Sequence, residues 1–117
     1  MIPDFAMDKN YGNKIQRAVQ TIKETIESKG LKVKKIILFG SRAKGNPRDD
    51  SDWDFFVIID KKLGFNEKWN IIDDIKIKLA KLKIPNDIIL KSEDEVEESK
   101  CDVGRITYYV LKEGIEL

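Results

Sequence analysis

The chain has 117 residues, 22 Lys+Arg against 21 Asp+Glu and a formal net charge of +1, which speaks for one domain spanning 1–117 and against an extended basic surface for nucleic acid or membrane. It contains no His and a single Cys, Cys101, so a Ser-His-Asp triad, a Cys-His dyad, a His-ligated zinc site and an intrachain disulfide are excluded. Its chemistry has to use carboxylates, hydroxyls, Lys, Arg or oxygen-bound metals.

The first segment, MIPDFAMDKN, carries two acids and no apolar core, so it does not read as a signal peptide. With one Cys and no apolar run near ~20 residues, the expectation is a cytoplasmic protein. From there Tyr11, Ile15, Ala18, Val19, Ile22 and Ile26 recur at helical spacing, and Gly30 is a stop signal; this predicts a helix over about 10–29. Val33 to Phe39 is a short β-branched run and predicts a strand. GSRAKGNPRDDS, with two Gly and a Pro, predicts a loop opening on one turn after Gly40. DWDFFVIID, residues 52–60, predicts a second strand.

Phe65, Trp69, Ile72, Ile75, Leu79 and Leu82 step by three and four along one face of a helix, stopped before Pro85. DIIL, residues 87–90, predicts a third strand. Ser92 followed three residues later by Glu95 resembles a capping box opening an acidic helix. A last helical pattern runs through Val103, Ile106, Val110 and Leu111 and closes near Gly114. The order is α-β-β-α-β-α-α. The link between the first two strands is too short for a crossover helix, so they pair antiparallel in a mixed α/β sheet flanked by helices.

Asp52 and Asp54 head the second strand. Residues i and i+2 share one face, with Cα atoms about 6.6–6.8 Å apart, so both carboxylates can converge on one point. Close unpaired carboxylates repel, and a divalent cation removes the conflict; an all-oxygen ligand set points to Mg²⁺ or Mn²⁺. The alternative is a turn-capping Asp52 and a solvated Asp54. Upstream, Gly40 permits a tight turn with close backbone approach. Ser41 offers a hydroxyl, and Arg42, Lys44 and Arg48 add positive charge, the makings of a phosphate cradle.

Gly40-Ser41, ten residues, then Asp52-x-Asp54 with a strand on each side resembles the signature of the nucleotidyltransferase superfamily that includes DNA polymerase β. GSRAKG…SDWDFFV looks like the minimal nucleotidyltransferase (MNT) branch, over about residues 33–91; residues 1–12 carry no usable motif. The resemblance implies a third carboxylate on the next core strand, where Asp87 opens DIIL; a strand-start Asp after a Pro-Asn turn is the alternative for it. It also implies that Asp52, Asp54 and Asp87 are catalytic and hold two Mg²⁺ ions. Gly40, Ser41 and Arg42 would hold the nucleoside triphosphate. NMP, by family usage AMP from ATP, would pass to a hydroxyl as pyrophosphate leaves. Asp60, Asp73 and Asp74 fall at no motif position and read as surface residues.

Chains of this size resemble the MNT antitoxin of MNT–HEPN toxin–antitoxin pairs. That implies a HEPN-type ribonuclease toxin as partner and adenylylation of a Tyr near its active site, with no membrane and no direct nucleic acid. Trp53, Tyr108 and Tyr109 are candidates for a partner surface, with core packing as the alternative. EDEVEES, residues 93–99, is a solvated acidic helix or a face for a basic partner. Two other readings stay open: transfer to a small molecule in a pocket shared across a dimer, and a non-catalytic module that neutralises by binding, against which the intact Gly-Ser and Asp-x-Asp argue. A phosphoacceptor receiver domain would need a parallel sheet of about five strands, and a ferredoxin-like RNA binder a basic, aromatic sheet face.

Overall fold

The stripe of Ile15, Ala18, Ile22 and Ile26 builds the first helix, α1 (Lys9–Glu27), in a computed structural model that describes residues 9–40, 42–43, 52–100 and 106–117. All four side chains are buried against the sheet. Past its last turn, Gly30 at φ 80° closes the chain end, donating its N–H to the Glu27 carbonyl at 3.0 Å. A residue with a Cβ would be strained at that φ.

Strands β1 (Val33–Phe39) and β2 (Trp53–Ile59) pair antiparallel, as their short connection requires. The helix α2 (Phe65–Lys81) then carries the chain back so that β3 (Asn86–Ser92) lies parallel to β2. A parallel neighbour needs such a crossover, because both strands must start at the same end of the sheet. The short helix α3 (Glu93–Ser99) begins with the expected capping box: the Glu95 N–H donates to the Ser92 hydroxyl at 3.2 Å, and the Ser92 N–H donates to the Glu95 carboxylate at 3.1 Å. α4 (Ile106–Glu113) follows, and a two-residue strand, β4 (Ile115–Glu116), pairs with β1. The sheet order is β3-β2-β1-β4. This mixed order is the expected architecture, with β4 an addition, and it differs from the parallel sheet of a receiver domain.

Alternation along the strands divides the core. Ile36, Leu38, Trp53, Phe55, Val57, Ile59, Ile88 and Leu90 face α1 and α2. Ile37, Phe56 and Ile58 face the other way, against Val96 of α3 and Val110 of α4. β2 is buried on both faces, which explains its nearly unbroken apolar run. At about 1.5–3 kcal/mol per fully buried large side chain, this central strand contributes heavily to the fold.

The apolar stripe of α2 forms the expected helix but is buried only in part. Its buried residues are Ile71, Ile72, Ile75 and Leu79, whereas Phe65 is 76% exposed and Trp69 47% exposed, and Leu82 lies at the surface. Burial on α2 is confined to 71–79; ahead of it the two rings pack on each other, centroids 6.2 Å apart. Leu111 of α4 is likewise at the surface, and the buried partner of Val110 is Thr107. Val103 and Cys101 lie outside the described residues. No described helix is long and apolar enough to cross a membrane.

Candidate functional site

Three strand positions stand in a row at one end of the sheet. Phe39 of β1 is the register partner of Asp54 of β2, and Asp54 is the register partner of Asp87 of β3. Register partners on adjacent strands point to the same face. Here it is the face shared with Phe56 and Ile37, where α3 and α4 pack. Asp52, two residues before Asp54, precedes the strand and is exposed. The backbone locks this end together: the Trp53 N–H donates to the Pro85 carbonyl at 2.8 Å, tying the start of β2 to the start of β3. The Asp-x-Asp pair and Asp87, 33 residues apart along the chain by number, are thus neighbours by topology.

Burial separates the three acids. Asp54 is part-buried, and its carboxyl is held above the usual aspartate range, first by loss of hydration and then by the negative charges of Asp87 and Asp52. Asp87 is exposed and meets the Lys76 ammonium of α2 at 3.5 Å. An ion pair this exposed contributes at most about 1 kcal/mol. In these side-chain positions, no three acids among the described residues are gathered closely enough to hold one ion. Ligation of one ion by all three acids therefore requires side-chain rotation, and Asp52 and Asp87 are exposed. The donor chemistry, oxygen only, fits Mg²⁺ or Mn²⁺.

The Gly40 turn closes directly on this cluster. Gly40 has φ 78°, and a Cβ there would be driven into the Asp54 carboxylate. The left-handed backbone favours glycine at this position, and a Cβ would in addition have to displace the Asp54 carboxylate. The turn is fastened by the Ala43 N–H donating to the Gly40 carbonyl at 3.1 Å. Ser41, Lys44 and Arg48 lie outside the described residues.

Arg42 is drawn inward, only 8% exposed, with its guanidinium 4.6 Å from the centroid of the Trp53 ring. Trp53 itself is 1% exposed and belongs to the core on the α1/α2 side. Core packing is therefore the role of Trp53, which offers no partner surface. Tyr108 is part-buried and Tyr109 is 49% exposed on α4. Of the acids set aside as surface residues, Asp73 is exposed, and Asp60 and Asp74 make contacts of their own. The Asp60 carboxylate accepts the Lys32 N–H at 2.9 Å at the far end of β2, and Asp74 pairs with Lys78 at 3.4 Å.

Sequence reasoning missed Lys76, one of several lysines on α2 with nothing in the periodicity to mark it. It also missed a cavity of about 270 Å³ between the Gly40 turn and α4, lined by Phe39, Gly40, Ile106, Tyr109 and Glu113 among others. Only the three-dimensional return of α4 to β1 creates it.

The comparisons with known proteins agree with this geometry. The profile of the family described as Polymerase beta, Nucleotidyltransferase matches residues 20–117. No curated protein matches the chain. Among solved structures, one described as the crystal structure of a toxin-antitoxin with AMP-PNP superposes with a TM-score of 0.55 at 20% identity, covering 89% of this chain and 69% of that one. At that identity the likeness is one of fold.

Proposed function

We propose that this chain, which belongs to the polymerase beta nucleotidyltransferase family, transfers AMP from ATP to a hydroxyl on a partner protein and thereby acts as the antitoxin of a toxin–antitoxin pair. The observation that carries the proposal is the placement of Asp54 beside Asp87, with Asp52 two residues before and the Gly40 turn closed against the Asp54 carboxylate. That arrangement sets a glycine turn beside neighbouring acids, the pairing a nucleotide and its metal ions would use. The similar fold of a toxin-antitoxin chain solved with AMP-PNP supports both the nucleotide and the class of partner. A HEPN-type ribonuclease, modified on a Tyr, is the partner the MNT resemblance favours.

Divalent cations held by Asp52, Asp54 and Asp87 would neutralise the triphosphate and the charge that develops at the α-phosphorus. The chain's own groups do the rest. Gly40, having no side chain, lets the triphosphate approach the backbone, and Ser41 donates its hydroxyl to a phosphate oxygen. Asp54, part-buried, fixes the acid end of the site. Asp87, exposed at the edge strand, accepts the proton of the incoming hydroxyl. The oxygen–α-phosphorus bond forms as the bond to pyrophosphate breaks, in line. An added nucleotide brings bulk and negative charge to the toxin, enough to block a site that must itself bind phosphate.

The test is direct. The chain is incubated with ATP, Mg²⁺ and a candidate HEPN toxin, and the toxin is weighed. A gain of one or more AMP units, absent with Asp54→Asn, supports the proposal. A toxin that is inhibited yet unmodified points to neutralisation by binding, and transfer to an added small molecule instead points to a small-molecule nucleotidyltransferase.

A further inference from the structure

Next to the acid cluster lies a cavity of about 270 Å³, formed where α4 packs back over the end of β1. It shares Gly40 with the acids, since Gly40 lines the cavity and a Cβ there would meet the Asp54 carboxylate. Phe39, whose register partner is Asp54, also lines it. The volume is below the range of pockets that enclose drug-sized ligands. It has room for a ring system rather than for a whole nucleotide.

Its walls are suited to a flat heterocycle. Phe39 and Ile106 are apolar, and Tyr109 presents a ring that is 49% exposed. That ring is braced by Tyr108, edge-on at 90° with centroids 5.3 Å apart, and Tyr108 in turn lies under the Lys112 ammonium at 5.7 Å. One carboxylate, Glu113, stands at the wall. An ionised carboxylate only accepts hydrogen bonds. It favours a base edge that presents an amino group and repels one that presents a carbonyl oxygen.

We propose that this cavity receives the nucleobase of the bound triphosphate, stacked on Tyr109 and read by Glu113 through an exocyclic amine. The inference rests on the nucleotidyltransferase reading above and extends it to specificity. The substrate class it selects is an amino-purine nucleotide, with adenine accepted over its oxo counterpart hypoxanthine. Tyr109 and Glu113 are specificity-determining residues, not catalytic ones.

Calorimetric titration with ATP and with ITP, in Mg²⁺, tests this. The wild-type chain is expected to bind ATP at least about tenfold more tightly than ITP. Glu113→Gln, whose amide can both donate and accept, should bring the two within about threefold of each other. Tyr109→Ala should weaken both ligands by roughly tenfold, and Tyr109→Phe should keep the stacking surface and restore them. Both residues are exposed, and an unchanged melting temperature verifies that the variants remain folded. Wild-type-like affinity and selectivity in both Tyr109→Ala and Glu113→Gln would overturn the base pocket, while nucleotide transfer that still depends on Asp54 would leave the enzymatic reading standing. A wild-type chain that binds neither triphosphate would overturn both.

Discussion

Asp54 and Asp87 occupy directly paired positions on parallel neighbouring strands, and Asp54 is the part-buried member of the pair. Folding therefore sets two negative charges side by side and removes water from one of them. The Asp54 carboxyl is raised above its ordinary 3.8 by desolvation first and by Asp87 and Asp52 next. A carboxyl raised in the folded state binds its proton more tightly there than in the unfolded chain. Its ionisation thus costs stability as pH climbs from 3.8 through the raised value, and the cost persists at neutral pH.

Asp54→Asn is accordingly expected to raise the melting temperature at pH 7 in EDTA. Because Asp54 keeps part of its hydration, the gain is at most about 1 kcal/mol. It should shrink below pH 3.8, where the wild-type carboxyl is also neutral. Thermal melts of both proteins across pH decide this. A loss of stability in the variant would mean that the carboxylate is held by favourable contacts and is structural.

Gly40→Ala should damage fold and site together. The φ of 78° strains any Cβ, and this Cβ would meet the Asp54 carboxylate. A destabilisation of about 1–3 kcal/mol is expected. The steric part belongs to a pair and the backbone part does not. Combining Gly40→Ala with Asp54→Ala should therefore cost less than the sum of the single changes in urea unfolding. Strict additivity would show that the alanine turn has moved away from Asp54.

At the start of α3 the cap is also a pH sensor. Desolvation is the largest single influence on Glu95 and pushes its carboxyl up. The hydrogen bonds from the Ser92 backbone and side chain, with the charges of Lys68 and Lys91, outweigh it, and the net shift is downward from 4.5. A lowered folded value means stability that is present above 4.5 and lost as pH falls through the folded value. Ser92→Ala should cost about 1 kcal/mol at pH 7. Glu95→Gln should be less stable than wild type at pH 7 and indistinguishable from it once the wild-type carboxyl is protonated. Melts between pH 7 and pH 2 would read the convergence.

These sites differ in how visible they are in the sequence. The capping box is local, two side chains and two N–H groups within four residues, and Ser92 and Glu95 alone announce it. Strand β2 is visible because both its faces are buried, so a run of aromatic and β-branched residues has no polar interruption. Spacing placed Asp52 with Asp54, but Asp87 joined them only through the motif, since register across β2 and β3 is not local information. Helix α2 shows the limit from the other side. A period of three and four identifies a stripe without saying where along it the packing stops, and Phe65 and Trp69 continue the stripe beyond the buried stretch. β4 is two residues long, below any periodicity, and exists only because α4 returns the chain to β1. At Arg42 the sequence shows the charge and not its surroundings. A cation beside a glycine turn reads as a phosphate contact, and composition cannot say that a buried tryptophan lies beneath it.

The position of Arg42 leads to the last expectation. Its guanidinium lies 4.6 Å from the centroid of Trp53, and both residues are almost fully buried. Trp53 flanks Asp52 and Asp54, so the contact braces the Gly40 turn against the strand that carries the acids. A desolvated cation–π contact of this kind is worth roughly 1–2 kcal/mol, and the buried aliphatic stem adds packing. Arg42→Gln should therefore destabilise the nucleotide-free protein by about that amount in urea unfolding. Arg42→Lys should recover only part of the loss, because an ammonium lacks the flat face that stacks on indole. Trp53→Leu combined with Arg42→Gln should cost less than the sum of the two single changes. A phosphate-contacting arginine behaves in the opposite manner, leaving the nucleotide-free stability nearly unchanged and lowering ATP affinity instead. Unfolding without nucleotide and calorimetry with ATP, run on the same Arg42→Gln protein, separate the brace from the phosphate ligand.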